Sequence, residues 1–420
     1  MKLIAIFQKK LLLIFFIASI TFSCSDNETS SGPDTTEEES SEVDMTGGDG
    51  MEGGLEGDID EVIDTPDGNE TGGESGSEGN GGTEGGNETG GESGSEGNGG
   101  TEEGGEETPT NGDIYLTDNL IIDKSGEFVT YVLPESDYRG YIFRENSVSG
   151  ISKEVLKYLN DDFDMIVVLG SETNHPEGVP AGVNTPVRNQ VEGIGSSLFN
   201  SGSAFGSQGE LNCIIYMPRI SSINNGPFLH EIAHMWANRG FITTNTGGHW
   251  GYSSAGGQLG GFDTIEDLGS NTYQGTTAGR GFGTFANGGN RIPYSNVELY
   301  LMGLIPENEL EPIQMAINPV PGSAFGQFTA DEIKTFTPAE LIEMHGKRVP
   351  SYENSQREYK ILTVILSSET ELEESEKEDA ITRLQDFFKQ GEPSRGSNNF
   401  WTATREKAII VNKIDASSIK

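Results

Sequence analysis

The fold is decided by a ten-residue stretch, PFLHEIAHMW, which runs from Pro227 to Trp236. Its two histidines, His230 and His234, stand at positions i and i+4, which lie on one face of an α-helix. Two imidazoles on one face can bind one metal ion, and the adjacent Glu231 can reach a water bound to that metal. The chain has five histidines, so a chance HExxH pattern is expected in about one such chain in a hundred or fewer. The stretch therefore predicts a helix with two metal ligands and a general base.

The residues on either side favour a buried helix. Asn225 can cap it from just upstream, and Pro227 suits the first helical position. Arg239 followed by Gly240 is typical of a helix end. A helix whose histidines only form hydrogen bonds in a core is the alternative. Burying two histidines and a carboxylate without a metal would, however, cost free energy.

Between Pro227 and Asn238 the sequence resembles the zincin superfamily of metallopeptidases, in which uncharged residues surround the HExxH pattern. The resemblance implies a zincin-like core in which a strand precedes the helix that carries the pattern. It also implies zinc as the cofactor, with His230 and His234 as ligands and Glu231 as the catalytic base.

The third ligand that a catalytic zinc needs is not supplied by the pattern. The metzincin subfamily requires a glycine at the position of Ala237 and a histidine at that of Gly240, so it does not match. We favour His249, which lies 15 residues after His234 within Gly-Gly-His-Trp-Gly. The glycines let the backbone turn the imidazole towards the helix, and Trp250 can anchor the loop. A surface histidine without a ligand role is the alternative.

Glu298 is the rival third ligand, because thermolysin-like gluzincins use a glutamate from a following helix. It stands three residues after Ser295, however, and a capping box would explain it without a metal. Asp263 and Glu266 are more distant options. The donors to the oxyanion of a hydrolytic reaction stay open among Tyr252, Tyr294 and Tyr300.

The first 24 residues predict a secretory signal. Lysines precede an apolar run over residues 11–22 that is too short to span a membrane. The following Cys24 resembles the lipidation site of a lipoprotein, and Ser25-Asp26 resembles the export signal of Bacteroidetes surface lipoproteins. This resemblance implies a lipid anchor on the outer face of the bacterial outer membrane. Ordinary signal cleavage beside an incidental cysteine is the alternative.

Residues 25–112 differ in composition from the rest of the chain. They contain 27 Asp or Glu and no Lys or Arg, and Asn69–Gly86 is repeated at Asn87–Gly104 with one change. Such a Gly-, Ser- and Glu-rich sequence cannot bury enough apolar surface to offset chain entropy, which predicts a disordered tether. Residues 113–420 still carry a formal charge of −17, which argues against nucleic acid as a partner.

Apolar runs and helix-start patterns predict an α+β domain over residues 113–420. The predicted strands are 128–133, 165–169, 213–217, 359–366 and 408–411. Besides the HExxH helix, the predicted helices are 152–159, capped by Ser152, and 371–389, with further starts at the capping boxes of Ser295, Thr329 and Thr337. Residues 241–292 are rich in Gly, Thr, Ser and Asn and predict a long functional loop.

These inferences favour hydrolysis. A bound zinc would lower the pKa of a water to about 7, and Glu231 would take its proton and pass it to the leaving amine. We therefore expect a cell-surface zinc endopeptidase with a protein or peptide substrate. The alternative is a tethered binding or adhesion module with a structural zinc site and no catalysis.

Overall fold

The computed structural model describes residues 112–173 and 175–420, and the backbone of Phe22–Ser23. The predicted lipidation site, Cys24, lies outside these residues. So do the rest of the predicted signal peptide and the predicted tether up to residue 111. Within the part of the chain that is described, no helix is long and apolar enough to cross a membrane.

The elements of the described residues alternate along the chain. The strands are β1 (Phe22–Ser23), β2 (Ile114–Thr117), β3 (Leu120–Ile122), β4 (Val129–Leu133), β5 (Met165–Gly170), β6 (Val183–Pro186), β7 (Arg188–Asn189), β8 (Phe199–Asn200), β9 (Cys213–Met217), β10 (Thr264–Gly269), β11 (Thr272–Thr276), β12 (Ile313–Ile317), β13 (Val320–Pro321), β14 (Gln327–Thr329), β15 (Glu332–Phe336), β16 (Glu358–Ser368) and β17 (Ile409–Val411). The α-helices are α1 (Glu135–Ile142), α2 (Ser149–Val155), α3 (Ser222–Asn225), α4 (Phe228–Ala233), α5 (Asn296–Leu301), α6 (Pro338–His345), α7 (Glu374–Phe388) and α8 (Phe400–Ala403). Short 3-10 helices cover Gly202–Phe205, Gly289–Arg291, Glu307–Glu309, Tyr352–Asn354 and Ala416–Ser418.

The largest sheet is mixed, with a parallel centre. Its strand order is β1-β6-β9-β5-β16-β4-β3-β2, and β17 pairs with the beginning of β16. Strands β9, β5, β16 and β4 are parallel, whereas β6 runs antiparallel to β9 and β3 antiparallel to β4. Every residue of β5 and β9 is buried, which explains why both sequences are almost continuous apolar runs.

This sheet separates two cores, because side chains alternate between the faces of each strand. The alternate residues that include Val167 and Ile215 face a core that also contains α4, α5 and α7. The residues that include Ile166 and Ile214 face a second core with α1 and α2. The HExxH helix therefore packs on one face of the central strands.

The prediction of a helix that starts at Thr329 is wrong. Thr329 ends β14, and Glu332 begins β15, which pairs with β12 from Ile313 opposite Phe336 to Ile317 opposite Glu332. This ladder uses the backbone groups that a helix would need, so strand pairing outweighs the local capping pattern.

The prediction of a long loop over residues 241–292 is also wrong in part. It contains the hairpin β10–β11, which belongs to a sheet of order β10-β11-β14-β13. Phe262, Phe282 and Phe328 form the core beneath this sheet. Since β14 lies about 50 residues further along the chain, its pairing with β11 has no local signal in the sequence.

Of the predicted helix caps, those at Ser295 and Thr337 were correct and that at Ser152 was wrong. Ser152 is not a helix cap, because it lies inside α2 and its hydroxyl donates to the Phe205 carbonyl at 2.8 Å. Capping boxes are present at Ser295 and Thr337, where α5 and α6 begin. The mixed α+β class is confirmed.

Candidate metal centre

The helix α4 contains the first four residues of the HExxH pattern, His234 directly follows its last residue, and the helix is shorter than predicted. Pro227 precedes its first residue, and Asn225 ends α3 instead of capping α4. After Ala233 the chain continues in turns, in which the N–H groups of Met235 and Trp236 donate to carbonyls three residues back. The two histidines of the pattern still lie on one side of this turn of helix.

Side chains from a distant segment replace the missing local cap. Asn290 Oδ1 accepts a hydrogen bond from the Leu229 N–H at 2.9 Å, and its amide donates to the carbonyls of Ile223 and Asn224 at 2.7 and 3.0 Å. The Tyr294 hydroxyl donates to the Leu229 carbonyl at 2.9 Å. The segment that contains Asn290 and Tyr294 therefore fixes the start of α4.

Three buried histidines meet beside this helix: His230, His234 and His249. One ring nitrogen of each lies within 4.8 Å of the other two, and the Nε2 atoms of His230 and His234 are 3.2 Å apart. A tetrahedral zinc with bonds of about 2.0–2.1 Å places its nitrogen ligands about 3.3 Å from one another. The structure therefore brings together the three residues that the sequence proposed as ligands, in an arrangement that can bind a metal ion.

Backbone carbonyls orient two of the three rings. The Nδ1–H of His230 donates to the Gln258 carbonyl at 2.8 Å, and the Nδ1–H of His249 donates to the Gly247 carbonyl at 2.7 Å. A carbonyl only accepts, so the proton of each neutral ring stays on Nδ1 and the lone pair on Nε2 is available to a metal. Metal-binding histidines are commonly held in this way.

Burial keeps these rings neutral. It lowers the pKa of His230 to about 3, with His249 adding to the shift and the bond to the Gln258 carbonyl opposing it. Burial likewise lowers the pKa of His234 well below its usual value, and it also lowers the pKa of His249. Because a metal binds only neutral imidazole, the group is ready for a cation near neutral pH. An all-imidazole donor set suits Zn, Cu, Fe or Ni.

Glu231 is fully buried next to these ligands in sequence. Neither of its carboxylate oxygens has a hydrogen-bond partner among the described residues. Burial raises its pKa to about 8, although the charge of Arg144 and the nearby backbone N–H of Asn184, which forms no hydrogen bond to the carboxylate, act to lower it. A buried carboxyl group without a hydrogen-bond partner is costly, and a carboxyl group of this kind can accept or release a proton.

Strand β6 and the residue before it border this carboxylate. The Asn184 amide donates to the Glu231 carbonyl at 2.7 Å. At Gly182, an added Cβ would lie 3.0 Å from Oε1 and Cγ of Glu231 and 2.9 Å from the Met217 sulfur. Any residue larger than glycine at position 182 would therefore crowd the Glu231 side chain.

No model of a known protein family, no curated protein and no solved structure matches the chain. The chemistry of the site must therefore be argued from its own residues.

The other residues that the sequence proposed lie elsewhere. Among the described residues, the group of potential metal ligands contains the three histidines and not Glu298, Asp263 or Glu266. The Tyr294 hydroxyl is committed to the Leu229 carbonyl, so it supports α4.

The remaining two tyrosines pack against aromatic rings. Tyr252 lies against Phe282 and Phe328, with ring centroids 5.7 and 5.0 Å away, and Tyr300 lies 6.1 Å from Phe241.

Sequence reasoning missed Asn184, Gln258 and Asn290. Gln258 acts on His230 through its backbone carbonyl, which no side-chain pattern can reveal. Asn184 and Asn290 reach α4 from positions 47 and 61 residues away, so neither forms a motif with it.

Proposed function

We propose that residues 113–420 form a zinc-dependent endopeptidase of zincin type, with His230, His234 and His249 as metal ligands and Glu231 as the general base. The observation that carries the proposal is that a buried three-histidine group occurs together with the buried Glu231 carboxylate, which is next to His230 in sequence and has no hydrogen-bond partner in the described residues. A purely structural metal site would not need that carboxylate.

The proposed mechanism gives each of these side chains one role. When bound, zinc supplies a Lewis acid that lowers the pKa of water to about 7 and polarises the peptide carbonyl. Glu231 removes the proton of the attacking water and delivers it to the leaving amine. The Gln258 and Gly247 carbonyls keep two of the ligand rings in the required tautomer.

The placement of the enzyme in the cell is part of the proposal. We infer that Cys24 carries lipid, that residues 25–112 form a tether, and that the domain works at the bacterial outer membrane surface on protein or peptide substrates. This inference rests on the amino-acid sequence of the N-terminal residues alone. The acidic charge of the domain supports substrates other than nucleic acid.

The test uses the mature protein and a broad substrate such as casein. We expect hydrolysis into peptides, loss of that hydrolysis after treatment with a zinc chelator, and recovery when zinc is added back. Metal analysis of the purified protein accompanies the assay. A protein that contains stoichiometric zinc but leaves casein and a mixed peptide library intact would instead be the tethered binding module with a structural metal.

A further inference from the structure

We propose that Glu298 is a positioning residue of the metal centre, whose buried carboxylate fixes both the loop that carries His249 and the carbonyl that orients His230. This inference rests on the proposed metal site, but it concerns metal binding and does not depend on hydrolysis. It gives Glu298 a role different from that of a third ligand.

The Glu298 carboxylate accepts hydrogen bonds from four donors. Oε1 accepts from the Trp250 indole N–H at 2.9 Å and from the Leu259 N–H at 3.0 Å. Oε2 accepts from the N–H groups of Gln258 and Ser295 at 3.1 and 2.9 Å. The side chain is fully buried. Both oxygens therefore accept hydrogen bonds from other groups of the protein. Through these bonds the carboxylate connects the start of α5 to two points of the loop, one at Trp250 and one at Gln258 and Leu259.

Each attachment in that loop is adjacent to the metal centre. Trp250 directly follows His249 in sequence, and its ring is fully buried. Gln258 donates its N–H to Glu298 and, through its own carbonyl, accepts the Nδ1–H of His230. Glu298 thus acts on two ligands through two residues, and no other carboxylate of the described residues contacts this loop at both points.

The backbone is shaped to let this carboxylate in. A Cβ added at Gly257 would lie 2.2 Å from Oε2 and 2.6 Å from Oε1 of Glu298. No side chain other than hydrogen fits there, so Gly257 and Glu298 form a matched pair. Without the carboxylate, two backbone N–H groups of the loop and an indole N–H would be buried unpaired, and the loop would have to shift to regain partners.

The experiment compares Glu298→Gln with Glu376→Gln in the mature protein. Glu376 is a matched control, because it is also buried and accepts from the Glu172 N–H and the Thr173 hydroxyl at 2.6 and 2.7 Å. Zinc affinity is measured by competition with a chromogenic chelator, and the ligand geometry by the visible absorption of the Co²⁺-substituted protein. Both are read without substrate and well below the unfolding temperature of every variant.

We expect Glu298→Gln to weaken zinc binding by about 10- to 100-fold and to shift the Co²⁺ bands, since loss of a supporting hydrogen bond typically has that effect on a metal site. Glu376→Gln should lower the unfolding temperature but leave the zinc affinity and Co²⁺ spectrum as in the parent. Zinc affinity within about twofold of the parent together with an unchanged Co²⁺ spectrum in Glu298→Gln would overturn the proposal.

A milder variant keeps the proposal testable if Glu298→Gln does not fold. Trp250→Phe retains a buried aromatic ring, although a smaller one, and removes the N–H from which Glu298 accepts a hydrogen bond. It should weaken zinc binding measurably and in the same direction, and unchanged affinity would count against the proposal. A parent protein that binds zinc but hydrolyses no peptide would refute the proposed function and leave this inference standing.

Discussion

His230 donates its Nδ1–H to the backbone carbonyl of Gln258, 2.8 Å away and 28 residues further along the chain. This bond directs the Nε2 lone pair of His230 towards His234 and His249. The orientation of a motif histidine therefore depends on a loop that the motif does not contain, and the loop in turn supplies the third histidine of the group.

Replacing Glu231 by glutamine should separate metal binding from catalysis. Glu231→Gln removes the base and retains the size of the side chain, so we expect full zinc content with peptide hydrolysis lowered by about two to four orders of magnitude. Zinc is measured by elemental analysis and turnover with a peptide substrate. Near-normal turnover in this variant would show that another group acts as the base.

The third ligand is tested by comparing two histidine variants. His249→Ala should lose most of its zinc, because two imidazoles leave too few protein ligands. His345→Ala is the control, since the His345 ring bonds to the Phe241 carbonyl at 2.8 Å and lies outside the three-histidine group. It should keep its zinc. If both variants bind zinc equally well, His249 is not a ligand.

Gly182→Ala should lower activity more than it lowers zinc content. The added methyl group would lie 2.9 Å from the Met217 sulfur and 3.0 Å from Glu231 Cγ and Oε1, so these side chains must shift; none of these three nearest atoms belongs to a histidine. We expect a lower kcat with near-parental zinc affinity. Unchanged kinetics would mean that the added methyl group does not displace the Glu231 carboxylate. Gly112→Ala is a spatial control, because nothing lies within 4 Å of a Cβ added there and its backbone is not in the left-handed region.

Asn290→Ala should destabilise the domain through the start of α4. The variant leaves the Leu229 N–H and two carbonyls buried without their partner, which should lower the free energy of unfolding by about 1–3 kcal/mol. Asn296→Ala is the control, because its partners lie at the exposed surface. Denaturant unfolding measures both, and equal stabilities would contradict the assigned role of Asn290.

The stability contributed by Asp113 should depend on pH. Burial acts to raise the pKa of Asp113, but hydrogen bonds and charges from Lys377 and Lys124 outweigh it, and the net pKa falls below its usual value of 3.8. A group with a lowered pKa in the folded state stabilises above its unfolded pKa, and that stability is lost as the pH falls through the folded pKa.

Asp113→Asn should therefore be less stable than the parent at pH 7, and the two should converge as the pH falls below 3.8. Thermal unfolding across this range provides the measurement. A stability difference that stays constant with pH would exclude the ion pair as its cause.

The sequence by itself determined the features that depend on local order. His230 and His234 share a face because the helical period places residues four apart together. The strands β5 and β9 were predicted because fully buried strands require unbroken apolar runs. The α+β class and the capping boxes of α5 and α6 follow from similarly local patterns. The sequence also singled out His249, although nothing in its spacing required that it approach α4.

Only the tertiary structure decided the features that depend on contacts between distant segments. The approach of His249 to α4, the bond from His230 to the Gln258 carbonyl and the cap supplied by Asn290 all join residues far apart in sequence. The same reason explains the failures at Thr329 and in residues 241–292, where pairing with distant strands outweighed local preference. Glu298 combines both levels: its capping box is local, whereas its bonds to Trp250, Gln258 and Leu259 exist only because packing brings that loop to the start of α5.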